Sequence, residues 1–122
     1  MHELSITESL LKIALAAGEK GGAVRITSIR IVVGDLTQVD PESVQFYLDV
    51  LAKGTIAEGA LLAAERRPLR AACRDCGREF GVAEFQFVCP HCNSGDTAIV
   101  SGRELYIDSI EVEGTEDLAC GT

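Results

Sequence analysis

Two cysteine pairs, Cys73-Arg74-Asp75-Cys76 and Cys89-Pro90-His91-Cys92, carry the clearest chemistry in this chain. Twelve residues separate the pairs, enough for a short hairpin to bring four sulfurs to one point. Zinc takes four thiolates in a tetrahedron, and paired C-x2-C turns supply them. The spacing therefore predicts a closed, structural metal site on Cys73, Cys76, Cys89 and Cys92. Tetrahedral sulfur sites also accept iron, and C-x2-C-G with C-P-x-C fits a rubredoxin-like carrier as well. His91, inside the second pair, reads as a surface residue of the turn or as a spare, pH-dependent ligand.

The second chemical feature is Met1-His2-Glu3. A free α-amine, the amide between residues 1 and 2, and the His2 imidazole can wrap one ion in fused chelate rings. The Glu3 amide nitrogen, or an outside donor, can close a square. Square-planar nitrogen donors suit Ni(II) and Cu(II) rather than zinc. The amine has a reference pKa of about 7.7–8.0, so metal capture near neutral pH displaces a proton. The plainer reading of a His at position 2 is an idle tail residue. Two features weigh against it: a helix starts almost at once, and the chain already contains a metal module. Asp40 reads most simply as a helix cap, and as support for the terminal site only if the fold brings it close.

These residues need elements to position them. Ser5-Ile6-Thr7-Glu8 fits a capping box, so a helix is expected from Ser5, with a buried face through Ile6, Leu10, Ile13 and Ala17, flanked by Leu11 and Ala14. Gly21-Gly22 ends it. Val24 to Val33 is β-branched and reads as a strand. Asp40-Pro41 opens a second helix with Val44, Tyr47, Leu48 and Leu51 buried, and Gly54 stops it. Leu61 to Leu69 reads as a second strand, with Pro68 marking an edge or an exit. Ala71 to Ser101 holds the cysteines. Glu104 to Glu113 is a third strand whose apolar phase shifts, which predicts a bulge near Asp108-Ser109. The last eight residues read as a frayed tail, and Cys120 in it receives no role. The expected fold is α+β: two helices packed on a small three-stranded sheet, with an inserted zinc-ribbon-like module. Residues 1–69 form the α/β domain, completed by 102–122, and 70–101 form the metal module.

The bulk numbers narrow the function. The chain has 122 residues and a net charge of −8, the wrong sign for a general nucleic-acid binder. A zinc ribbon that binds nucleic acid is still the rival reading, because Arg66, Arg67, Arg70, Arg74 and Arg78 fall within 13 residues. A solvated face beside the cysteines is the plainer account of that cluster. The start carries Glu3 and Glu8 and no basic segment, so no signal peptide is expected, and no apolar run reaches the ~20 residues that span a bilayer. A soluble, cytoplasmic protein is expected. No glycine-rich phosphate loop and no Ser/His/Asp set is present, so a carrier is expected rather than an enzyme.

Met-His-Glu-Leu-Ser-Ile at the start, Gly34-Asp35-Leu36 after the first strand, Asp40-Pro41-Glu42 and the C-x2-C…C-P-x-C module together resemble the HypA/HybF family of hydrogenase maturation proteins. The resemblance runs from Met1 to about Val112. It implies a nickel metallochaperone that delivers Ni(II) into [NiFe]-hydrogenase precursors and, in some bacteria, into urease. It implies nickel at His2, with the Met1 amine and Glu3 beside it, and zinc at Cys73, Cys76, Cys89 and Cys92. The implied partners are a HypB-type maturation GTPase and the hydrogenase large subunit, with no nucleic acid and no membrane. A weak homodimer is also allowed. Asn93 departs from the Gly common after the last knuckle cysteine, and Asn tolerates the same left-handed backbone.

Overall fold

The computed structural model describes residues 3–114. Helix α1 (Glu3–Lys20) is followed by strand β1 (Arg25–Gly34), a 3-10 turn (Asp35–Thr37) and helix α2 (Pro41–Leu51). Five strands come next: β2 (Leu61–Arg67), β3 (Arg70–Cys73), β4 (Glu79–Gly81), β5 (Thr97–Ser101) and β6 (Leu105–Glu113). They form two three-stranded sheets, ordered β2-β1-β6 and β4-β3-β5. The described residues divide into two compact units, one of residues 3–32, 39–65 and 106–114, the other of 33–38 and 66–105. The expected tail and Cys120 lie outside the described residues.

In the first unit, α1 and α2 pack on each other. The face α1 buries is Thr7, Leu10, Leu11, Ala14 and Gly18. It shares Leu10, Leu11 and Ala14 with the expected face but is turned off Ala17 and Ile13, which is 57% exposed. The small residues explain the turn. A Cβ at Gly18 would lie 3.1 Å from the Ile26 side chain and 3.2 Å from that of Ile56, so glycine lets the helix settle there without displacing them. A glycine inside a helix costs about 0.5–1 kcal/mol relative to Ala, which close packing against Ile26 offsets.

The capping box does not form. Glu3 and Leu4 are helical, so Ser5 sits inside the first turn. The Thr7 hydroxyl donates instead to the Glu3 carbonyl, 2.6 Å away. The other end follows expectation. Gly22 is left-handed (φ 72°), the Ala23 amide donates to Gly18 and the Gly22 amide to Glu19. That pair of bonds is the Schellman closure.

At α2, the Asp40 carboxylate accepts from the Glu42 amide at 3.2 Å, and Pro41 opens the helix. Val44 and Leu48 are buried. Along β1, Ile31, Val32 and Val33 are buried in succession, the signature of a strand in the middle of a sheet. β2 ends at Arg67, immediately before Pro68, and the chain enters the second sheet at Arg70. The strand expected through Leu69 is therefore shorter, because proline has no amide for the ladder.

Leu105, Ile107 and Ile110 are the half-buried residues of β6, which follows the predicted phase shift. The Val24 amide donates to Glu113 and the Gly34 amide to Glu104, so the run from 24 to 34 carries one residue more than the run from 104 to 113 that it faces. An irregularity between these bonds absorbs the difference.

The second unit has a small core of Ala71, Cys73, Phe80 and Cys89, with Val82 against it. β3 pairs antiparallel with both β4 and β5. A backbone crossing lies beside this sheet. A Cβ on Gly34 would stand 2.0 Å from the Gly102 carbonyl oxygen, so no side chain fits at position 34. Gly102 itself is left-handed (φ 114°), and a Cβ there would meet Leu69 at 2.8 Å. These contacts give the Gly34-Asp35-Leu36 motif a steric reason: the Leu36 amide donates to Gly102 and closes the crossing.

Candidate metal centre

The two cysteine pairs sit on matched turns. In the first, the Cys73 amide donates to the Arg78 carbonyl and the Gly77 amide to the Cys73 carbonyl, both at 2.9 Å. In the second, the Cys89 amide donates to Ser94 at 2.9 Å and the Asn93 amide to Cys89 at 2.8 Å. The same bonds thus recur at an offset of 16 residues. Gly77 (φ 77°) and Asn93 (φ 62°) are the left-handed residues that turn each knuckle. Asn serves where Gly is more usual because its short polar side chain tolerates that geometry.

This construction brings the four sulfurs together. Cys73 and Cys92 lie 3.5 Å apart and Cys76 and Cys89 3.7 Å apart. All four lie within 4.8 Å of one another. A Zn–S bond of about 2.3 Å gives a tetrahedron with edges of about 3.8 Å. The sulfurs are free thiols, too far apart for disulfides. Their chemistry and spacing fit a tetrathiolate ion. Amides already point at two of them: Cys76 N–H at the Cys73 sulfur and His91 N–H at the Cys89 sulfur, each at 3.4 Å.

Cys73 and Cys89 are buried, Cys76 and Cys92 exposed. The Cys76 amide, working against burial, brings the Cys73 thiol down to about 7. Cys92 behaves oppositely. The Ser94 amide favours its thiolate, but hydrogen bonding to Cys73 and burial push it up to about 12. At Cys76 the Arg78 amide likewise favours the thiolate, and burial with the neighbouring Cys89 and Cys73 sulfurs raises the thiol above its usual value. Four adjacent sulfurs cannot all carry charge unless a cation sits among them. Binding one therefore expels protons.

Side chains the sequence did not single out brace the knuckles. The Ser94 hydroxyl donates to the Asp75 carboxylate, tying one turn to the other. The Asp96 amide donates to Ser94, and Arg74 donates to the Asp96 carboxylate at 2.7 Å. Only the polar residues inside and just after each C-x2-C step hinted at this bracing. The arginine cluster is largely spent within the unit. Arg66 lies 3.7 Å from Asp35, Arg70 3.9 Å from Glu79, and Arg74 on Asp96. Arg78 lies 3.3 Å from the His91 Nδ1, which turns that ring toward the knuckle surface rather than toward the sulfurs.

Of the expected nickel residues, Met1 and His2 lie outside the described residues. Glu3 opens α1, and its carboxylate accepts from the Asp40 amide at 3.3 Å. The fold therefore does bring Asp40 to Glu3. The Asp40 carboxylate is occupied by the cap, accepting from Glu42 N–H and from the Ser43 hydroxyl at 3.1 Å. Among the described residues, no helix is long and apolar enough to cross a membrane.

Comparison with known proteins agrees with this architecture. Residues 1–112 match the family model described as hydrogenase/urease nickel incorporation, metallochaperone, hypA. The hydrogenase maturation factor HypA of Dehalococcoides mccartyi (strain 195) is 42% identical over 113 residues, covering 93% of this chain and 95% of that protein. The corresponding factor of Caldanaerobacter subterraneus subsp. tengcongensis is 40% identical over 114 residues, covering 93% of this chain and all of its own. The fold matches the solution structure of the nickel metallochaperone HypA from Helicobacter pylori, with a TM-score of 0.64 at 23% identity, over 93% of this chain and 99% of that one. A second HypA solution structure matches with a TM-score of 0.68 at 24% identity. A match from residue 1 to 112, relatives at about 40% identity over nearly their whole length, and a shared fold place this chain in the HypA family of hydrogenase maturation factors and nickel-incorporation metallochaperones.

Proposed function

We propose that this chain carries Ni(II) at its amino terminus for the maturation of a [NiFe]-hydrogenase, or of urease, and is not itself an enzyme. The observation that carries the reading is the family match beginning at residue 1, where Met1-His2-Glu3 supplies the nitrogen donors a square-planar ion takes. The ligands are the Met1 amine, the amide nitrogen between residues 1 and 2, the His2 imidazole and, at Glu3, the backbone nitrogen. The Glu3 carboxylate already accepts the Asp40 amide, which favours the nitrogen as donor. A site closed by so few groups releases its ion when a partner rearranges them. Cys73, Cys76, Cys89 and Cys92 hold zinc, which stabilises the small core around them. Nickel handling is assigned to residues 1–69 with 102–122, and zinc to 70–101. The partners are a HypB-type GTPase, which supplies the nucleotide hydrolysis, and the hydrogenase large subunit. The cytoplasm is where such partners are met.

The test is a Ni(II) titration of zinc-loaded protein with an untagged amino terminus, beside His2→Ala. One equivalent of nickel bound by the native chain and none by the variant is expected, with zinc content equal in both. Equal nickel binding by the two would move the cargo site off the terminus. A red, iron-containing preparation would replace the zinc reading with an iron one.

A further inference from the structure

The two sheets leave four edge strands: β2, β6, β4 and β5. Unpaired edges invite another chain to pair, and proteins guard them with charge, proline or brevity. β2 carries Glu65, Arg66 and Arg67, and β6 carries Asp108, Glu111 and Glu113. β4 is only three residues long and includes Glu79. β5, Thr97-Ala98-Ile99-Val100-Ser101, has no charged residue and no proline.

The register shows which β5 groups face outward. Cys73 pairs with Thr97, Ala72 with Ala98 and Ala71 with Ile99, before a shift leaves Val100 as the extra residue. The Arg74 amide donates to the Asp96 carbonyl. In an antiparallel ladder the bonding direction alternates, so Asp96 and Ala98 bond toward β3 while Thr97 and Ile99 turn their peptide groups away. The Thr97 amide is satisfied by Gly95. Among the described residues, nothing outside the sheet bonds the Ile99 amide, the Ile99 carbonyl or the Thr97 carbonyl.

Two depressions, of about 540 and 220 Å³, run along this strand and share Ile99 and Arg103. Phe87 and Arg74 line the larger one. Arg103 makes no ion pair among the described residues, unlike Arg66, Arg70 and Arg74. The carboxylate in the smaller depression, Glu104, is engaged by the Gly102 amide at 2.8 Å. An unguarded strand edge thus adjoins a depression where the Phe87 ring sits beside polar groups, and a guanidinium with no ion-pair partner among the described residues. We infer that β5 is a docking edge. It takes an extended, acidic segment of a partner protein as an added strand, bonded through Thr97 and Ile99, with a carboxylate on Arg103.

The experiment uses the full zinc-loaded chain and a fluorescein-labelled, capped Val-Glu-Val-Glu-Val peptide, read by anisotropy and by amide hydrogen exchange. Saturable binding is expected, with slowed exchange at Ile99. Raised salt should weaken it, and Arg103→Glu should weaken it about tenfold or more, because a charge-assisted contact becomes a repulsion. Arg103→Ala should fall between the two, with zinc content unchanged in both variants. No binding at millimolar peptide would overturn the inference. So would equal affinity in Arg103→Glu, equal binding of a Val-Lys-Val-Lys-Val peptide, or protection at amides other than those of β5. Self-association of the chain through β5 that excludes the peptide would also overturn it, by making a second copy the occupant.

Discussion

The two units hold themselves together by different means. The helical unit buries whole aliphatic side chains, including Ile26, Ile29, Val44 and Leu48, on a sheet covered by α1 and α2. The cysteine unit has a core cluster of Ala71, Cys73, Phe80 and Cys89, with Val33 and Leu69 also buried, and two of the cluster are candidate metal ligands. A cluster of that size offsets little of the entropy of ordering its chain, which is the situation a bound ion would remedy. The contrast sets a fold maintained by excluded water against one whose four sulfurs are arranged to be closed by coordination.

Removing the ion should produce the largest effect. Structural zinc contributes about 10–16 kcal/mol to zinc-finger peptides. Cys89→Ser, or chelation, should therefore abolish zinc binding and collapse the amide NMR dispersion of residues 66–105. Signals from α2 should persist. An unchanged spectrum would erase the contrast between the units.

The converse substitution is Ile29→Ala, which opens a cavity at a residue only 1% exposed. It should cost about 2–5 kcal/mol in urea unfolding of the first unit. Zinc content should stay unchanged, and its loss would show the core is shared rather than divided. Asp40→Ala removes one cap from α2 and should cost about 1 kcal/mol by the same measurement.

The smallest effect concerns Glu104. Its own amide and the Gly102 amide, helped by Arg67, hold its carboxyl below the usual range. A group lowered in the folded state adds stability above its unfolded value and loses it as pH falls through the folded one. Glu104→Gln should lower the melting temperature slightly at neutral pH, and the difference should vanish in acid. A constant difference down to pH 3 would assign the effect to shape rather than charge.

Local chemistry made much of this legible. The C-x2-C steps specify their turns, Asp40-Pro41 specifies a helix start, and Gly21-Gly22 specifies a stop. The errors came where distant residues decide. Ser5-Ile6-Thr7-Glu8 satisfies a capping pattern, but nothing in it shows that Glu3 and Leu4 are already helical. Ile13 looks like a core residue, but the groove beside Ile26 admits Gly18 and turns it outward. The arginine run looked like one surface. Its partners Asp35, Glu79 and Asp96 come from three separate stretches of chain, so the pairing could be found only in the fold. The second sheet escaped notice because its strands are short and the cysteines dominate the pattern. The proposal of Met1 and His2 for nickel rests on the amino-terminal motif and the family match, since both lie outside the described residues.

The matched knuckles carry a consequence for engineering. Because Cys73-to-Arg78 and Cys89-to-Ser94 make the same backbone bonds, they are two copies of one backbone turn that differ in their bracing side chains. A chain in which one six-residue turn is written twice should still close around an ion, provided Gly or Asn occupies positions 77 and 93. The interval between the turns must keep Phe80 and the short strand β4, and beyond those it can take a longer loop. Such a cassette could be grafted wherever two strands end side by side, giving a scaffold a metal-dependent clasp that a chelator opens.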